Sequence, residues 1–311
     1  MRLVTFRADD GEPHVGIIRD GEIIDLTLWL PYQEPVLLAD FDMVDLIAAP
    51  REVWSQVEAS LEASEIALKG AGALVPFQPE ELLAPIPRPR KNVFCIGRNY
   101  AEHAAESIRA HKEAPPTTNT PQYPAVFTKA PTAVIGPYDD IPFNPNISEQ
   151  MDFEGELAIV IGRTGKTIQR SQALSHVFGY MVLNDITARD IQKRHVNQFF
   201  KGKSLDGSCP TGPWIVTADE IPNPDDLELW TRVNGVEKQH DTTASMLLDV
   251  AGIIEAVSFG LTLEPGDIIA TGTPAGVGFA RDPAEFLRPG DVVECEIEGI
   301  GAIRNRVMRE T

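Results

Sequence analysis

The stretch Met151-Asp152-Phe153-Glu154-Gly155-Glu156-Leu157-Ala158-Ile159-Val160-Ile161-Gly162 begins acidic and ends apolar. It reads as a strand driven into a core and stopped at Gly162. Side chains on a strand alternate faces, so Glu154 and Glu156 project to one side with their carboxylates close together. Two like charges leading into buried sheet repel each other and are poorly solvated. A hard divalent cation, Mg²⁺ or Mn²⁺, resolves the conflict through all-oxygen ligation. Taken alone, such a pair is more often the solvated start of a strand, and the rest of the chain decides between the two readings.

Downstream, the apolar run His176 to Asn184 delivers Asp185 at its end, and Thr187-Ala188-Arg189-Asp190 begins a helix. A carboxylate where a buried strand gives way to a helix is a common position for a ligand. Lys201-Gly202-Lys203-Ser204 lies in a Gly/Pro-rich loop that runs to Trp214, and residues 244–261 are predicted to form an amphipathic helix through Leu247, Val250, Ile254, Val257 and Leu261. Upstream, Asn92 to Gly97 is a buried strand. It is followed by a helix that Asn99 would cap and on which His103 and Glu106 are i,i+3 neighbours within hydrogen-bonding reach. Residues 107–123 are polar, proline-containing and aperiodic, which predicts a lid over a site. Ala125 to Lys129 reads as a strand. Near the end, Ala270 to Gly278 is a glycine-rich loop able to bring backbone N–H groups to an anion, without the lysine of a P-loop or a G-x-G-x-x-G pattern.

The first 30 residues read as short strands, with a tight turn at Asp20-Gly21. A helix is predicted within residues 50–69, stopped by Gly70 to Gly72. Prolines 76, 79, 85, 87 and 89 then preclude regular structure. A boundary drawn there gives a small N-terminal domain over 1–75 and a main domain over 76–311.

The 311 residues can bury a large core, and 43% hydrophobic with 23% charged residues is ordinary for a globular protein. A net charge of −19 without a Lys/Arg cluster argues against nucleic acid. It leaves room for an anionic substrate, because a bound metal reverses the potential inside one cleft. Cys95, Cys209 and Cys295 are far apart with no C-x-x-C, which points to a reducing compartment and to neither a disulfide framework nor a zinc site. No apolar run approaches the ~20 residues of a spanning helix and no signal peptide is evident, so no membrane partner and a cytoplasmic location are expected.

The ordered set Gly97-Arg98-Asn99-Tyr100-x-x-His103-x-x-Glu106, Asp152-Phe153-Glu154-Gly155-Glu156-Leu157, Asn184-Asp185-x-Thr187-Ala188-Arg189-Asp190-x-Gln192, Lys203-Ser204 and Gly272-Thr273-Pro274-x-Gly276-Val277-Gly278 resembles the fumarylacetoacetate hydrolase family from about Lys91 to Arg306. Residues 1–75 resemble the variable N-terminal domain that many members carry. The resemblance implies an α+β, β-rich fold with mixed, curled sheets, a homodimer, and a small keto acid as substrate. It makes Glu154, Glu156 and Asp185 the ligands of one Mg²⁺ or Mn²⁺. His103 and Glu106 match the proton-handling dyad, Lys203 the lysine near the metal, and Gln192 and Thr273 the substrate contacts; Arg98 and Lys129 lie in matching motifs. Val93 to Asn99 holds no further carboxylate ligand, which makes the chain more similar to the bacterial diketo-acid branch than to fumarylacetoacetase itself.

The expected reaction is hydrolytic C–C cleavage of a 2,4-diketo acid of the acylpyruvate or fumarylpyruvate type. A divalent cation stabilises the pyruvate enolate, and His103, oriented by Glu106, activates water. The same enolate logic serves a 2-hydroxyhepta-2,4-diene-1,7-dioate isomerase or an oxaloacetate-type decarboxylase of aromatic catabolism. A binding protein for metal and keto acids, without turnover, is the reading from another class.

Overall fold

The Gly155–Ile161 strand is buried at every position. Its alternation divides the interior in two: Leu157, Ile159 and Ile161 join one hydrophobic core, and Ala158 and Val160 the other. The structure is a computed structural model that describes residues 1–111, 123–195 and 198–310. The strand pairs antiparallel with Val177–Asn184 on one side and Ile268–Ala270 on the other. The sheet continues through Cys209–Thr217 in one direction and through Val93–Gly97 and Ala125–Lys129 in the other. The Ile268–Ala270 to Val93–Gly97 pairing is parallel, so the eleven-stranded sheet is mixed.

A second, five-stranded sheet runs in the order Val236–Thr242, Glu228–Val233, Val292–Ile297, Gly301–Arg309 and Ile141–Phe143. Leu229, Val293, Cys295 and Ile303 from this sheet meet Leu157 and Ile159 of the first, so one core lies between the sheets. This is the mixed, sheet-rich α+β architecture expected.

The N-terminal strands Arg2–Arg7, Pro13–Arg19, Glu22–Asp25 and Leu74–Pro76 extend the large sheet through Leu3↔Ile215. Leu3, Val15 and Ile24 share the second core with Ala158 and Val160. Sheet and core therefore run across the residue-75 boundary drawn from the prolines. Asp20 and Gly21 both adopt positive φ, as a two-residue hairpin turn between right-twisted strands requires.

Several expected helices are shorter or displaced. The one within 50–69 is two helices, Arg51–Ser60 and Glu65–Gly70, the second capped by the Ser64 hydroxyl. The one over 244–261 spans only Val250–Ser258, because Asp249 accepts from Gly252 N and fixes its start. Lys203 ends a short helix, Phe199–Lys203, where a loop was expected. Of the expected lid, residues 107–111 continue the helix Ala101–His111, and 112–122 lie outside the described residues. No helix among the described residues is long and apolar enough to cross a membrane.

Candidate active site

Register brings three acidic side chains to one point. Gly155 pairs with Asn184. The Asn184 Oδ1 accepts from Glu154 N at 3.0 Å, and Asp185 N donates to Glu154 O at 2.8 Å. The ends of two adjacent buried strands are thus tied together, and oxygens of Glu154, Glu156 and Asp185 come within 4.8 Å of one another.

Cations surround the trio unevenly. The Lys203 ammonium bridges Glu154 Oε2 at 2.5 Å and Asp185 Oδ2 at 2.6 Å. Lys129, fully buried, donates to Asp185 Oδ1 at 2.7 Å and to Ile186 O at 3.1 Å. Arg189 joins Glu154 Oε1 at 2.5 Å to Asp152 Oδ2 at 2.8 Å and lies 4.2 Å above the Phe279 ring. Among the described residues, these three cations pair with Asp152, Glu154 and Asp185. The fourth buried carboxyl, Glu156, has no ion pair with a described residue and accepts a hydrogen bond from Gly272 N at 2.7 Å. Burial, with Asp185 and Glu154 close by, pushes the Glu156 carboxyl well above the usual carboxylate range. Burial pushes Glu154 the same way, but Lys203 and Arg189 override it and hold Glu154 down at about 2. Lys203 is displaced upward in turn, because Asp185 and Glu154 outweigh its desolvation.

The glycine-rich loop grips anions, and they are the protein's own. Gly272 N holds Glu156, Gly276 N holds both oxygens of Glu106 at 3.2 and 3.1 Å, and Gly278 N and Phe279 N hold Asp152 at 2.7 and 3.1 Å. His103 Nδ1 lies 2.8 Å from Glu106 Oε1. A carboxylate only accepts, so Nδ1 carries the proton and, in the neutral ring, Nε2 is the acceptor. Beside the trio a cavity of about 220 Å³ is lined by His103, Glu154, Glu156, Arg189, Gln192 and Lys203, with Arg98, Phe127 and Thr273 on its walls.

This ordered arrangement matches a family model described as fumarylacetoacetate (FAA) hydrolase C-terminal over residues 92–308. The chain belongs to the fumarylacetoacetate hydrolase family. Among its relatives is the oxaloacetate tautomerase YisK of Bacillus subtilis, 48% identical over 227 residues, 73% of each chain. Another is the mitochondrial oxaloacetate tautomerase Fahd2a of Rattus norvegicus, 38% identical over 99% of this chain and 92% of that protein. Among solved structures, the maleylpyruvate hydrolase of Sphingobium sp. SYK-6, in complex with manganese(II) and pyruvate, superposes with a TM-score of 0.75 at 30% identity, covering all of both chains. These family members are enzymes by name.

The residues fit a hard divalent cation. The donor set is all oxygen, and Glu156 has no ion pair among the described residues. Two buried polar atoms in the same region, the Tyr100 hydroxyl and Asn184 Nδ2, have no hydrogen-bond partner among the described residues. Such orphans are rare unless a further polar group belongs there.

All eight residues singled out in the sequence converge on this region, but not all as expected. Thr273 reaches the cavity wall, yet its hydroxyl donates to Gly155 O at 2.9 Å and accepts from Gln239 Nε2 at 2.7 Å. Asn99, expected to cap a helix, instead donates to Leu248 O and Thr271 O and accepts from Leu248 N. The roles of Asp152, Arg189, Lys129 and Gln239 were not legible. The first three stood inside motifs or strands already read, and only their partners across the fold show what they do. Gln239 stood in no motif at all.

Proposed function

We propose that the protein transfers a proton between the enol and keto forms of a short 2-oxo dicarboxylate, oxaloacetate first among them. One observation carries this reading: His103, paired with Glu106, lines the same small cavity as Glu154 and Glu156, in a chain with relatives over nearly its whole length that are named oxaloacetate tautomerases. Glu154, Glu156 and Asp185 would hold Mg²⁺ or Mn²⁺. Bound there, the ion supplies a Lewis acid for the 2-oxo and carboxylate oxygens.

In the enol-to-keto direction C3 gains one proton and the enol oxygen loses one to solvent. His103 Nε2 exchanges the proton at C3, with Glu106 stabilising the imidazolium, a role typically worth ~10²–10⁴-fold in rate. Lys203 and Arg189 keep Glu154 ionised and offset charge that develops on the substrate. Gln192 lines the cavity, where it would contact the substrate.

A second reading, hydrolytic cleavage of a 2,4-diketo acid, is supported by the same dyad and by the likeness to maleylpyruvate hydrolase. One assay separates them. Decay of the enol absorbance of oxaloacetate is followed with Mg²⁺ or Mn²⁺, beside acetylpyruvate and fumarylpyruvate. Acceleration of enol decay without release of CO₂ is expected; cleavage of the diketo acids with no effect on oxaloacetate would sink the tautomerase reading.

A further inference from the structure

We infer that Gln239, which touches neither the cavity nor the trio, is the positioning residue that sets the metal-ligand strand in register with the glycine-rich loop. The inference deepens the reading above and takes its site as given.

Gln239 lies on Val236–Thr242 of the five-stranded sheet with 1% of its surface exposed. Its side-chain amide makes three hydrogen bonds to two segments. Oε1 accepts from Gly155 N at 3.0 Å, and Nε2 donates to Thr273 Oγ1 at 2.7 Å and Pro274 O at 2.9 Å. Gly155 separates Glu154 from Glu156. Thr273 and Pro274 sit between Gly272, which holds Glu156, and Gly276, which holds Glu106. One amide therefore fixes the spacing between two metal-binding carboxylates and the acid of the proton-transfer dyad.

The backbones are pressed together where this happens. A Cβ on Gly276, whose φ is +103°, would lie 2.2 Å from Lys238 O, and one on Gly155 would lie 2.2 Å from Thr231 Oγ1. Arg281 closes the junction by donating to Gly276 O at 3.1 Å and Lys238 O at 2.7 Å. Contact this close leaves no room for water to replace the amide, so its loss lets strand and loop shift against each other. Supports behind metal ligands typically govern metal affinity or activity by ~10–100-fold.

The test is Gln239→Met, which keeps the volume and removes all three hydrogen bonds, beside Leu229→Ala, a fully buried residue of the same sheet that has no tie to the loop. Mn²⁺ titration calorimetry on chelator-treated protein and kcat and KM with enol oxaloacetate are measured for each. Gln239→Met is expected to weaken Mn²⁺ and to lower kcat by ~10–100-fold each, with KM nearly unchanged, while Leu229→Ala lowers the melting temperature and leaves both constants near wild type. Wild-type Mn²⁺ affinity in Gln239→Met overturns the inference, as does an equal loss in Leu229→Ala. Should the wild type not act on oxaloacetate while Gln239→Met still loses Mn²⁺ affinity, the inference stands and the tautomerase reading falls.

Discussion

Among the described residues, ionic groups are buried beside a cavity both near the N-terminus and at the carboxylate trio, and the contrast between the two separates structure from chemistry. In the N-terminal part His14 Nδ1 lies 2.6 Å from Asp25 Oδ2, and its Nε2 is 3.4 Å from Asp10 Oδ2. The other Asp25 oxygen accepts from Leu28 N and caps the helix Leu26–Tyr32. The adjoining cavity, about 530 Å³, is larger than the one at the carboxylate trio. Yet both oxygens of Asp25 are answered by donors of the same fold, so nothing there calls for an outside group. At the trio Glu156 is buried against two like charges with no ion pair to a described residue. Uncompensated charge, more than volume, marks where chemistry happens.

Glu156→Gln should have the largest effect, because it removes the charge that lacks a partner. Mn²⁺ affinity is expected to fall by more than the ~10–100-fold typical of losing a support around a metal. Thermal stability of the metal-free protein should hold or rise, since a carboxyl whose ionised form is opposed by burial and two like charges has gone. Calorimetry and melting curves in chelator check both halves, and wild-type Mn²⁺ binding in this variant would break the contrast.

His103→Ala comes next, with kcat lower by ~10²–10⁴-fold and Mn²⁺ affinity unchanged. A change confined to KM would remove its proton-transfer role.

Asp25→Ala should leave kcat alone and cost stability. It strips a helix cap, typically about 1 kcal/mol, and leaves the buried His14 Nδ1 unanswered, a further ~1–3 kcal/mol. Burial raises the Asp25 carboxyl in the fold, against opposing hydrogen bonds from His14 and the helix start. The folded state therefore holds this proton where the unfolded chain, titrating near ~3.9, has released it. The stabilisation that Asp25 provides is then greatest below that value and shrinks as pH rises through the raised one. Urea unfolding of wild type and Asp25→Ala across this range checks the sign: a difference that grows with pH contradicts it. Loss of kcat in Asp25→Ala would mean that the two clusters are not independent.

Much of this contrast was readable in advance. Glu154 and Glu156 on one side of a strand and the i,i+3 pair His103 and Glu106 follow from strand and helix periods, which are local geometry; Asp185 stands at the end of an apolar run, and only the structure pairs that run with the first strand. The order of motifs placed the chain in its family. Helix limits were read less well, because Asp249 and Ser64 stop or start helices through hydrogen bonds that apolar periodicity does not contain.

What sequence alone determined, then, is a set of candidates: spacing along a strand or a helix turn puts Glu154 with Glu156 and His103 with Glu106 on shared faces, and the resemblance of the ordered motifs adds Asp185 and Lys203. Tertiary structure alone decided who answers them. Lys129 on a strand, and Arg189 and Lys203 on short helices, reach the carboxylates from distant segments, Gln239 ties the backbone between Glu154 and Glu156 to the glycine loop, and that loop binds the chain's own carboxylates. Charge balance in a buried site is a sum over neighbours in space, and neighbours in space are what a linear sequence does not list.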